Sequence, residues 1–159
     1  MIEMPKGLVV YDSKTGNTEK MAMAISQGME REGLEVKTKR AENTSLDELI
    51  DADAIVFGTP TYYATISSNM KTLIDKTVDI YPKLQDKVGA AFTSYDEVGA
   101  ELTLLSLIQT IFVQKMVVVG HQSGNLGAIS VGEPDDKCIA ECRVFGERIA
   151  DFAKAIAKK

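Results

Sequence analysis

Short apolar runs alternate with helix-spaced segments along the whole chain, and this alternation constrains the fold more than any single residue. GLVVYD (7–12) and AIVFGTP (54–60) are apolar stretches closed by polar residues or by Gly58 and Pro60, the pattern of strands buried on both faces. KVGAAFTS (87–94) and KMVVVG (115–120) repeat it, and LEVKTKR (34–40) alternates as an edge strand does. Between them, residues 18–32 set Met21, Ala24, Ile25, Gly28 and Met29 on one helical face, with Gly33 as the stop. Ser45 caps a short helix over 45–51. The spacing predicts a helix over 67–81 with Met70, Leu73, Ile74 and Val78 inward. Residues 99–114 form a helix apolar on much of its surface, expected to be well buried, and a final helix runs over 135–158.

Strands alternating with helices of this length imply βαβ units, hence a parallel sheet with helices on both faces. The 159 residues fit one domain, 1–159, with no internal repeat or linker. The longest irregular stretch is HQSGNLGAISVGEP (121–134). A net charge of -5 argues against a nucleic-acid partner. No apolar run approaches the roughly 18 residues of a membrane span. MIEMPKG has no signal pattern, so a cytoplasmic protein is expected. Cys138 and Cys142 lie four apart on one helical face and read as small residues in or near the core. Two cysteines and one histidine leave too few ligands for a structural zinc, which wants about four.

In an open α/β sheet a ligand sits beyond the carboxyl ends of the strands, where strand order reverses. The loop after the first strand carries Ser13, Thr15 and Thr18 as hydroxyls, with Gly16 for a tight turn. A helix starting near Asn17 adds its positive end, and Lys14 either adds charge or points to solvent. This is the composition of a phosphate cradle, although neither GxxxxGK[ST] nor GxGxxG is present. The second loop, GTPTYYATISSNM (58–70), sends Tyr62 and Tyr63 off a strand end, where rings stack on a planar group or cover the sheet. The third, TSYDEVGAE (93–101), supplies Ser94, Tyr95, Asp96 and Gly99. Together they suggest a flat aromatic cofactor with a phosphate tail.

Over nearly its full length the chain resembles the flavodoxin-like FMN proteins. SKTGNT has the form [TS]-x-[TS]-G-x-[TS], and GTPTYY and FTSYDEVGAE match the second and third flavin loops. The resemblance implies a three-layer α/β sandwich: a five-stranded parallel sheet of order 2-1-3-4-5 with helices on both faces. It implies FMN as cofactor, with Ser13, Lys14, Thr15, Gly16, Asn17 and Thr18 at the phosphate loop. Pro60, Thr61, Tyr62, Tyr63, Ala64, Ser94, Tyr95, Asp96 and Gly99 then form the other two flavin loops. It further implies a low-potential electron carrier serving redox partner proteins, with no catalytic side chain. Asp96 and Glu97 would oppose negative charge on the reduced ring.

The chain is similar in size to short-chain flavodoxins. GTPTYYATISSNMKTLID, AELTLLSLI and VVVG also resemble flavodoxin-like NAD(P)H:quinone reductases and the flavodoxin domains of larger flavoproteins. An FMN-dependent NAD(P)H:quinone-type oxidoreductase is therefore the alternative, and a flavodoxin-like module without flavin a third reading. Those reductases usually carry an extra segment after the second flavin loop, whereas here helix 67–81 passes directly to strand 87–94. With no tryptophan, tyrosine must do any stacking. The family's redox-linked peptide flip falls on Tyr63-Ala64-Thr65, where alanine makes positive φ costlier than glycine would. His121, the single histidine, reads as a loop residue rather than a proton donor.

Overall fold

In the computed structural model the chain is described over residues 3–157, so Met1, Ile2 and the expected last helical residue Lys158 lie outside the described residues. Leu8, Val9 and Val10 put bulky side chains on both faces of β1 (Lys6–Tyr11), and such a strand is stable only inside a sheet. It pairs in parallel with β2 (Glu35–Arg40) on one side and with β3 (Ala54–Pro60) on the other. β4 (Val88–Tyr95) follows β3, and β5 (Val117–Val118) follows β4, giving the expected order β2-β1-β3-β4-β5.

The sheet has a sixth strand. β6 (Ala128–Val131) pairs with Phe92 to Tyr95 of β4, along the same edge on which β5 pairs with Val88 and Gly89. The expected strand over 115–120 is thus cut to two residues, and 121–134 is not wholly irregular. Gly127 brings the chain back to the sheet: a Cβ there would lie 2.1 Å from the Ala91 carbonyl oxygen, so only glycine permits the approach.

Two apolar layers form on the two faces. On one, α1 (Asn17–Arg31) and α5 (Asp136–Ala157) cover Val9, Val56, Ala90 and Phe92. On the other, α2 (Leu46–Asp51), α3 (Ser68–Lys76) and α4 (Ala100–Val113) cover Leu8, Val10, Ile55 and Phe57. Ser45 caps α2 as expected, in a reciprocal box with Glu48.

Two helical expectations need correction. The helix over 67–81 ends at Lys76 and continues as a 3₁₀ turn, Thr77–Ile80. The tighter winding rotates the face, so Val78, expected inward, is 74% exposed. The helix over 99–114 is buried on one side only. Leu104, Leu107, Ile108 and Ile111 face the sheet, while Leu102, Leu105, Phe112 and Val113 are 49–58% exposed.

Candidate functional site

β1 leads out to β2 on one side, while β3 and β4 lie on the other, so strand order reverses between β1 and β3. The loops after β1, β3 and β4 gather at the carboxyl edge over that point, where open α/β sheets bind ligands.

The first loop folds around Ser13, which is buried. Its Oγ accepts from the N–H of Gly16 at 3.1 Å and of Glu19 at 3.3 Å. Gly16 adopts φ 98°, a left-handed conformation that favours glycine. The space beside it is open, since a Cβ there would meet nothing within 4 Å. Gly16 at the N-cap brings no side chain to α1, so with the Glu19 N–H taken by Ser13 the N–H groups of Asn17 and Thr18 are the ones left to an anion. Lys14 and Thr15 are exposed at the tip, and Asn17 is half-buried at the helix start. Thr18 turns to the sheet, its hydroxyl 2.8 Å from Ser94 Oγ, which joins the first loop to the third.

Arg40, the last residue of β2, braces this loop. It donates from Nη1 to the Ser13 carbonyl at 2.8 Å and from Nη2 to Glu19 at 3.2 Å, and its guanidinium lies 5.4 Å from the Tyr11 ring centre. The Tyr11 hydroxyl donates to Glu19 Oε2 at 2.5 Å. Burial and then this carboxylate push the Tyr11 pKa up to about 12, so the phenol stays a donor at neutral pH.

The second loop begins after Pro60, buried at the end of β3. The Thr61 N–H donates to the Ser94 carbonyl at 2.9 Å, and the Thr61 hydroxyl donates to Thr103 Oγ1 at 2.9 Å. Tyr62 and Thr65 exchange backbone hydrogen bonds of 3.0 and 3.1 Å across a tight turn. Its central residues, Tyr63 at φ 52° and Ala64 at φ 61°, are both left-handed, the shape asparagine and glycine usually supply. Tyr63 is fully exposed. Burial first, and then the charges of Asp12 and Asp96, raise the Tyr62 pKa. Gly99 ties the second loop to the third: a Cβ on it would lie 2.5 Å from Ala64 Cα. In the third loop, Ser94 is buried, Tyr95 is half-buried and Asp96 is exposed.

The three predicted loops therefore interlock at one edge, through Thr18–Ser94, Thr61–Ser94 and Ala64–Gly99. Sequence reasoning missed Arg40 as the brace, and also the buried Asp12, whose Oδ1 accepts from Asn69 Nδ2 at 3.3 Å. Arg40 ends an expected edge strand, but its place beside the first loop follows only from the pairing of β2 with β1. His121 lies apart from the three loops. Its Nδ1 is 2.7 Å from Ser123 Oγ, its ring packs 5.1 Å from that of Phe145, and burial pulls its pKa down. Cys138 and Cys142 are free thiols, the latter buried in the α1–α5 layer. Among the described residues no group of three or more histidines, cysteines or carboxylates is placed to hold a metal.

A family model described as NADPH-dependent FMN reductase matches residues 39–129. A flavodoxin from Clostridium saccharobutylicum is 36% identical over 157 residues, spanning 93% of this chain and 97% of its own. The chain belongs to the flavodoxin-like FMN protein family. Within it, a protein of Archaeoglobus fulgidus named NAD(P)H dehydrogenase (quinone) is 33% identical over 190 residues, spanning 96% of this chain and all of its own. The solved structure of an archaeal flavodoxin matches this flavodoxin-like chain with a TM-score of 0.83 at 33% identity, over 94% of this chain and 99% of that one.

Proposed function

We propose that the chain is a cytoplasmic electron carrier that holds FMN at the three-loop edge and serves larger redox proteins. The observation that carries this reading is the match, nearly end to end, with a flavodoxin of similar length. The alignment with the quinone dehydrogenase extends over 190 positions, more than the 159 residues present here, so that relative has residues without a counterpart in this chain. Among the described residues no helix is long and apolar enough to cross a membrane.

The residues present fit FMN. Uncapped N–H groups at the start of α1 and open space beside Gly16 suit a phosphate dianion. Ser13, Lys14, Thr15, Asn17 and Thr18 surround it in this reading, with the positive charge of Arg40 behind. Tyr62, Tyr63 and Tyr95 offer flat faces to the ring. Pro60, Thr61, Ala64, Ser94 and Gly99 set the loop backbone that holds those faces in place. When bound, FMN supplies reversible one- and two-electron transfer. Asp96 and Glu97 place negative charge at the same edge, which disfavours added charge on the ring and lowers its potential.

The second reading, an NAD(P)H-dependent quinone-type reductase, draws support from the family match over 39–129 and from the full exposure of Tyr63, whose ring no neighbouring side chain holds in place. An anaerobic titration followed by visible absorption separates the two. The carrier is bleached by dithionite and left yellow by NADPH as sole reductant. Direct bleaching by NADPH establishes the reductase instead.

A further inference from the structure

We propose that Asp12 accepts a hydrogen bond from a hydroxyl of the chain that joins phosphate to ring in FMN, an inference that rests on the FMN reading above and adds a ligand contact to it. Among the described residues Asp12 is, His121 aside, the only acidic or basic side chain that the fold buries, with 8% of its surface exposed. No lysine or arginine among them pairs with it. An interior charge is ordinarily paired or fully hydrogen-bonded. Asp12 is neither. Its Oδ1 accepts one bond, from Asn69 Nδ2 at 3.3 Å, and its Oδ2 accepts none from the described residues. Oδ2 is not sealed inside the protein, because the fully buried side-chain polar atom without a partner among the described residues is Gln114 Oε1 alone. Oδ2 therefore reaches open space, as an acceptor in need of a donor.

Its position selects that donor. Asp12 directly follows β1, and its N–H donates to the Gly58 carbonyl of β3 at 3.0 Å, so the residue stands where strand order reverses. Leu8 and Val10 face the layer of α2, α3 and α4; Asp12 continues that alternation and meets α3 through Asn69. Ser13, the next residue, begins the loop proposed for the phosphate. Toward the loop proposed for the ring, burial first and then the Asp12 charge raise the Tyr62 pKa. A ligand seated on both loops passes Asp12 with its middle, which in FMN is a chain of hydroxylated carbons. The two ends fit less well. A phosphate dianion repels a carboxylate, and the N–H donor of the oxidised ring lies across the ring from the chain. A hydroxyl brings a proton and no charge, and its bond to a carboxylate is of the strong class. The same chemistry lets an acidic side chain hold a ribose hydroxyl in dinucleotide-binding α/β folds.

FMN analogues that each lack one hydroxyl of the chain test this, with Kd read from flavin fluorescence. The wild type should bind one of these deoxy-FMN analogues about tenfold or more weakly than FMN, because a charged acceptor is left unpaired. Asp12→Ala should bind FMN and that analogue alike, since the partner of the missing hydroxyl is gone. The ratio of the two affinities is the readout. FMN and its analogue carry equal charge, so the ratio cancels any relief of repulsion between phosphate and carboxylate. A general loosening of the loops weakens both and leaves the ratio high. Asp12→Asn keeps the shape of the side chain and offers a neutral hydrogen bond, so it should cut the ratio to a few-fold. A wild type that binds FMN and every analogue alike overturns the inference, and so does a ratio that both substitutions leave unchanged. A wild type that binds no FMN overturns the reading of the edge itself and this inference with it.

Discussion

Arg40 meets Ser13 across 27 residues of sequence, with a charge-assisted hydrogen bond to the loop proposed to hold the FMN phosphate. Replacing it with glutamine removes a bond class worth about 1.5–3 kcal/mol. FMN affinity should fall about tenfold or more, read from quenching of flavin fluorescence. At Ala64, φ 61° costs about 1–2 kcal/mol for a residue with a Cβ. Ala64→Gly relieves that, offset by about 0.4–1 kcal/mol of added unfolded-chain entropy. A net gain between zero and about 1.6 kcal/mol is expected in urea denaturation. His121 bears on pH. Burial first, then Arg148, depress its folded pKa, against an opposing pull from Glu141. The unfolded chain takes up the proton near pH 6.5 while the folded chain resists it, so stability is lost as pH falls through that value and below. His121→Gln should flatten the decline between pH 7 and pH 5. At this scale the loops were legible: Ser13, Gly16, Ser94 and Gly99 lie in segments that follow β1 and β4, as the alternation of strand and helix expects, while the Thr18 hydroxyl turns to Ser94 instead of the loop. Arg40 and the Asp12–Asn69 pair were not, because their meaning comes from strand pairing, which no local window contains.

Helix α1 meets α5 backbone to backbone. A Cβ on Gly28 would lie 1.9 Å from the Arg143 carbonyl oxygen, and one on Gly146 would lie 2.1 Å from that of Ile25. Gly28→Ala cannot be absorbed by a side-chain rotation, so the helices must part. The expected loss is about 1–3 kcal/mol or more, seen as a melting temperature lower by roughly 2–4 °C per kcal/mol. The sequence pattern put Gly28 on the inward face but not against another backbone. Period and capping located β1, β3, α1 and α2 well, because each depends on local spacing. They failed where winding or neighbours decide: the 3₁₀ turn that exposes Val78, the four-residue β6 inside a glycine-rich loop, and the outer side of α4.

Across the whole molecule, two apolar layers share one sheet, and the proposed FMN site lies where loops from β1, β3 and β4 meet. FMN that binds only the folded chain should stabilise it by about 2.7 kcal/mol at a free concentration of 100 times Kd. For a chain of this size that raises the melting temperature by roughly 5–11 °C, measurable by scanning calorimetry with and without added FMN. The alternation of strand and helix made the fold class legible, and the loop motifs fixed the strand order by resemblance. The broken fifth strand position has a consequence for how copies of the chain meet. Between Val118 and Ala128 the sheet margin has no strand to offer, and the opposite margin, β2, carries Lys37, Lys39 and Arg40. Neither side presents a long, uncharged ladder on which a stray strand can template. Short or charged margins of this kind guard a crowded solution of the protein against fibre-like stacking of one sheet on another.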